Sequence, residues 1–336
     1  MSIASPHNSG CVQERTLSRL RLYTNTRQDR YDQPVNRRSA LFLLLYVAAI
    51  LYLSLYPWQF VPNPGFGLHW VPLDTRRTIL DAVLNVAFYV PMGAAAFLSL
   101  RKRGAFTFVA ALAFGTLVSF IVEWTQLSIP TRFGNLTDLF CNSVGTLLGV
   151  TAAFLAGSPP VARRLGTLSS SRVMLSGLWV VWQAFLFLPR YGPAIDVTHV
   201  MVGVVVLALG VFRWKIRAAG PLLLIWLIFE ELRPFQFQSP PHPFSWLPFE
   251  SWFVGALDSY YGILFGKLFL YTGILWVERH SGIRWIWALF APAAILAAGE
   301  SAQRYLPGRT PETTDLVLLA SGAVLLYLVE PSEPLR

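Results

Sequence analysis

At 336 residues, with 54% hydrophobic and 13% charged residues and a mean hydropathy of +0.49, the chain is too apolar for an ordinary soluble domain. A formal net charge of +9 would point a soluble protein toward nucleic acid. Here the arginines gather in an N-terminal tail and in short segments between apolar runs, where they orient helices, so no nucleic-acid partner is implied.

Residues 1–38 form a basic polar tail containing Arg15, Arg19, Arg21, Arg27, Arg30, Arg37 and Arg38, with no apolar stretch of the signal-peptide kind before Ala40. They read as a disordered cytoplasmic tail. Ten apolar spans follow, at about 40–56, 78–100, 105–128, 136–156, 173–189, 195–212, 220–232, 257–277, 285–305 and 314–330. The fold class is therefore an all-α polytopic membrane protein. With the tail inside, the inner loops hold Arg101, Lys102 and Arg103, then Arg163, Arg164 and Arg172, then Arg213, Lys215 and Arg217, then Arg279 and Arg284. That bias places both termini in the cytoplasm and the protein in the inner (plasma) membrane, as a multi-pass chain. Trp58, Trp70, Trp246 and Trp252 flank the outer segments, as an interfacial aromatic belt does. Cys11 in the tail and Cys141 in an apolar span give neither a disulfide framework nor a metal site, and no cofactor is implied. His199 reads as a packed histidine, and Lys267 either snorkels or pairs with Asp258.

Two stretches share a pattern. EWTQLSIPTRFGNLTD at 123–138 and ESAQRYLPGRTPETTD at 300–315 place Glu, Gln, Pro, Arg and Asp at the same five offsets. The shift of 177 residues also carries Gly145 to Gly322, Pro57 to Pro234, Gln59 to Gln236 and Leu80-Asp81 to Leu257-Asp258. This reads as two four-helix units, 39–156 and 219–330, joined by a two-helix connector at 157–218, with a short tail at 331–336. An even number of spans separates the units, so they are expected to be parallel repeats about an axis along the membrane normal.

Asp81 with Asn85 and Pro91-Met92-Gly93, then Glu123, Gln126, Arg132, Asp138, Asn142, Gly145 and Gly149, resembles the VanZ-like membrane family, named for a protein linked to teicoplanin resistance. The resemblance covers the first four spans and is most specific over 78–150. The second copy keeps Asp258, Glu300, Gln303, Arg309, Asp315 and Gly322 but has Gly262 for Asn85 and Leu319 for Asn142, and so resembles a degenerate copy. The family implies an integral protein of the cell envelope and hands over no catalytic mechanism.

Glu123 and Gln126 share a face near one end of the third span, while Asp138, Asn142, Gly145 and Gly149 run down one face of the fourth. A carboxylate at mid-membrane costs about 2.5–3.5 kcal/mol on insertion scales, so Asp81, Glu123 and Asp138 require partners or an aqueous cavity. Two readings stand side by side. In one, Arg132 bridges Glu123 and Asp138 as a structural lock and the Gly145/Gly149 pair allows close packing. In the other, Arg132 and the start of the fourth span bind the phosphate or carboxylate of an anionic envelope lipid or a peptidoglycan precursor. For Asp258, Glu300, Gln303, Arg309 and Asp315 the structural role is favoured.

Three classes of function follow in order. The first is a non-catalytic envelope factor that binds a lipid or peptidoglycan-type ligand at its outer face and affects glycopeptide susceptibility. An intramembrane enzyme using Glu123 and Asp138 as acid and base comes second, short of a nucleophile. A lipid or small-anion transporter is third.

Overall fold

The structure, a computed structural model, describes residues 37–63, 65–100, 104–157, 170–186, 201, 203–205, 219–254 and 261–330. The tail, the basic segments 101–103, 163–164 and 213–217, Asp258 and most of the span 195–212, with His199, lie outside the described residues. Every regular element among the described residues is a helix: α1 Arg37–Ser54, α2 Arg76–Ser99, α3 Ala105–Gln126, α4 Leu136–Ala156, α5 Ser170–Leu186, α6 Ala219–Leu232, α7 Glu250–Val254, α8 Tyr261–His280, α9 Trp285–Gln303 and α10 Thr314–Val329. Of these, α1, α2, α3, α4 and α9 are long and apolar enough to cross a membrane, and α10 is a shorter apolar helix. At 1.5 Å per residue the 24 residues of α2 rise about 36 Å. Large apolar side chains stand exposed on these helices, among them Leu44, Phe106, Val109, Leu117, Phe290 and Leu222. Exposed apolar faces of this extent belong in hydrocarbon, and the chain is a membrane protein.

The chain divides into two compact units, Met1–Leu165 and Gly166–Arg336. In the first, α2 packs along α4, and α1 and α3 lie against them. Glycines set the separation: a Cβ on Gly145 would collide with the carbonyl of Val86, and one on Gly149 with that of Val90. The Gly-x-x-x-Gly spacing thus brings two backbones together, a use of small residues common where no hydrophobic effect pulls helices together. Thr75 caps α2, its hydroxyl accepting from the Thr78 amide while Thr78 returns a bond to the Thr75 amide. Asn135 caps α4 by accepting from the Asp138 amide at 2.7 Å.

In the second unit, α8 is the central helix, with Phe269, Ile274, Leu275 and Trp276 fully enclosed among α5, α6 and α10. Helix α5, which the sequence assigns to a connector, packs within this unit: Trp182 lies 5.7 Å from the Phe269 ring, and Ser171 accepts from the Trp276 indole at 3.2 Å. The short helix α7 is an element the sequence does not announce. Its first turn is held by Glu250, which accepts from the Ser245 hydroxyl.

Candidate functional site

In the first unit the connections α1–α2 and α3–α4 emerge at the same end, and they interlock. The Val61 amide donates to the Ser128 carbonyl and the Leu136 amide to that of His69, while Thr137 both accepts from and donates to the backbone of Val71 at 2.8 Å. Gly134 passes so close to the end of α3 that a Cβ would strike the Glu123 carbonyl. Exposed Phe60, Phe66, Trp70, Trp124 and Phe133 surround this end.

Beneath that cover lies a rung of acidic and amide side chains. Glu123 is 3% exposed, and its carboxylate accepts from the Asn135 amide at 2.9 Å. Asp138 accepts from the Asn135 side chain at 2.9 Å and also hydrogen-bonds Asn85. Asp81, one turn before Asn85, bears electrostatically on Glu123. Asn135 therefore joins the two carboxylates. The Arg132 guanidinium donates from Nε to the Tyr56 carbonyl at 3.2 Å and from Nη2 to that of Leu53 at 3.4 Å, tying down the exit from α1. Gln126 acts beside it, donating to the Ser54 carbonyl at 3.0 Å.

One turn deeper comes a second rung that composition does not reveal. Asn142 donates to the Ser119 hydroxyl at 3.0 Å, yet its Oδ1 has no hydrogen-bond partner although the residue is 3% exposed. The Tyr89 hydroxyl hydrogen-bonds Ser119 and faces Glu123 and Asp138. Tyr89 and Ser119 are the residues that sequence reasoning passed over. The signal was there, since Tyr89 follows Asp81 and Asn85 at steps of four and Ser119 precedes Glu123 by four.

The second unit makes corresponding bonds 177 residues on. The Glu312 amide donates to Glu300 at 2.9 Å, and Arg309 donates to the carbonyls of Arg233 and Glu230 at 3.0 and 2.8 Å. The Phe249 amide, one residue past the equivalent of Val71, donates to the Thr314 hydroxyl, and the Gln238 amide donates to the Tyr305 carbonyl. Two differences stand out. Gln303 donates to the carboxylate of Glu231 rather than to a carbonyl, and Lys267 places its ammonium 2.6 and 2.8 Å from the two oxygens of Asp315. Lys267 thus pairs with Asp315, on α10, while Asp258 lies outside the described residues. Tyr271 also hydrogen-bonds Asp315. Glu231, Glu300 and Asp315 bring carboxylate oxygens within 4.8 Å of one another, a donor set for a hard cation, and the Lys267 ammonium already lies among them. Glu231 and its neighbour Glu230, which ion-pairs with Arg309 at 3.7 Å, were not among the residues singled out from sequence.

The VanZ/LLP1 family model matches residues 40–157, which are the four helices of the first unit. No curated protein matches the chain, and no solved structure does.

Proposed function

We propose that the chain is a multi-pass protein of the bacterial inner membrane, with ten spans and two four-helix units of common descent, and that its first unit holds an envelope ligand. The recurrence of the same bonds 177 residues apart supports the duplication. The VanZ/LLP1 match supports the family reading of the first unit and an effect on glycopeptide susceptibility. Ligand binding is carried by one observation: the buried Asn142 side chain holds an amide oxygen without a hydrogen-bond partner, directly below a carboxylate rung. Leaving such a group unsatisfied costs about 1–3 kcal/mol, so a bound group that satisfies it is favoured.

Exposed aromatic side chains surround the end of the unit above this rung, where a molecule seated at the membrane surface can approach. The anionic ligand expected from sequence would have to share Arg132 with the carbonyls of Leu53 and Tyr56. The test replaces the unpaired amide by an apolar side chain, as Asn142→Leu, and removes the hydroxyl beside Ser119, as Tyr89→Phe. At equal membrane abundance, both variants should lose the copurifying small molecule identified by mass spectrometry and shift glycopeptide susceptibility. Unchanged ligand content together with unchanged susceptibility would refute the reading.

A further inference from the structure

The 177-residue shift that relates the polar bonds also relates two apolar grooves. One, of about 480 Å³, runs along α3 past Val109, Leu112, Ala113 and Thr116. The other, of about 430 Å³, runs along α9 past Trp285, Ile286, Leu289, Phe290 and Ala293, and the last four are those α3 positions carried forward. A groove that recurs on the same helix face of both copies is a property of the unit rather than an accident of one helix. The α9 groove ends at a basic turn. Arg284 is the N-cap of α9 and is exposed, and Arg279, in the last turn of α8, lies 4.9 Å from the centre of the Trp285 ring. Nη1 of Arg279 donates to the Ile283 carbonyl at 2.9 Å, which holds the guanidinium at the head of the groove. Neither arginine has an ion-pair partner among the described residues. Glu278, the acid beside Arg279, turns instead to the start of α6, where a Cβ on Gly220 would lie 2.5 Å from its carboxylate. Arg284 gives the first amides of α9 no side-chain acceptor.

We propose that the α9 groove seats a phospholipid with an anionic headgroup, an acyl chain lying along Ile286, Leu289 and Phe290 and the phosphate on Arg284 and Arg279. The lining is apolar throughout, which suits hydrocarbon. Charge decides the headgroup. A zwitterionic lipid would bring its own ammonium to two guanidiniums that have no carboxylate, whereas an anionic one brings only what they lack. The planar fork of arginine matches phosphate oxygens. Arginines that only orient a helix need no fixed geometry, and Arg279 has one, set by an indole and a carbonyl. Arg101, Lys102 and Arg103 precede α3 in sequence but lie outside the described residues, so the site is drawn on α9 alone. It is separate from the ligand site of the first unit, and Glu300 stands near the opposite end of α9.

The test titrates phosphatidylglycerol or phosphatidylcholine into the purified full chain in detergent and counts bound lipid by native mass spectrometry. Wild type should bind phosphatidylglycerol in preference. Arg284→Gln, at an exposed position, should weaken that binding about fivefold, and Arg279→Gln combined with Arg284→Gln roughly 25-fold, at about fivefold for each cation removed. If the double variant does not fold, Arg284→Gln carries the comparison. In nanodiscs of phosphatidylcholine and phosphatidylglycerol, phosphatidylglycerol with a photoreactive group in its acyl chain should label the peptide 285–293, and less so in Arg284→Gln. Equal binding of both lipids by wild type, or unchanged affinity in Arg284→Gln, would overturn the proposal. So would crosslinking of two chains through a cysteine placed at Ile286 with no lipid label on the peptide, which would make the groove an interface between copies.

Discussion

Removing the Lys267 ammonium should destabilise the second unit by an amount the structure bounds. Lys267→Met keeps the chain length of the stem but leaves Asp315, whose side chain is 2% exposed, without its ammonium at 2.6 and 2.8 Å. Breaking a buried pair by deleting one partner costs about 3–5 kcal/mol, because the remaining charge is stranded. Two features place this case at the lower end. The lysine side chain is 35% exposed, which screens part of the attraction, and Tyr271 still donates to Asp315. Against them, Glu231 and Glu300 bring further carboxylate oxygens within 4.8 Å. A loss of about 3 kcal/mol in a unit of this size corresponds to a melting temperature lower by roughly 6–12 °C. Thermal unfolding of the full chain in detergent, followed by tryptophan fluorescence, reads it out, since Trp182, Trp252 and Trp276 are buried in this core. Adding Asp315→Asn to Lys267→Met should recover most of the loss. A single variant that melts within a degree or two of wild type would refute the reasoning, as would a double variant no better than the single.

Asn135→Ala removes the cap of α4 and the donor to Asp138 together, and should cost about 1–2 kcal/mol by the same melting assay, more than Thr75→Ala at the exposed cap of α2. Gly145→Ala and Gly149→Ala drive a methyl into backbone carbonyls of α2 and should each cost about 1–3 kcal/mol, whereas Gly177→Ala, with nothing within 4 Å, should be neutral. Arg309→Gln should lower the yield of folded protein, since it removes two bonds to the carbonyls of Arg233 and Glu230 and the ion pair with Glu230. Cysteines introduced singly at Gly65, Thr131 and Gly308, in a chain without Cys11 and Cys141, should all react with an impermeant thiol reagent from outside intact cells; labelling only after permeabilisation would reverse the orientation.

The helices were legible because their cause is local. Apolar runs of the right length give α1 to α4 with ends within a few residues, and Asn135 ahead of Leu136 marks a cap. The doubled Glu, Gln, Arg and Asp pattern was also legible, since Glu123 and Asp138 need only helical spacing to share an end of the bundle. What the guanidinium of Arg132 touches was not. Its acceptors at Tyr56 and Leu53 lie 76 and 79 residues away and are backbone carbonyls, which no side-chain pattern marks. Tyr89 and Ser119 were missed for another reason. Hydroxyls on membrane helices commonly bond back to the preceding turn, as Thr125 does to Ile121, so a hydroxyl at helical spacing carries little weight until its neighbours are seen. Lys267 illustrates the same limit, because its partner Asp315 is 48 residues away in sequence.

The most direct measurement is native mass spectrometry of the wild-type chain and Asn142→Leu, each released from native membranes. The account predicts that wild type retains a bound small molecule that Asn142→Leu, folded, does not. Equal retention by both proteins would contradict it.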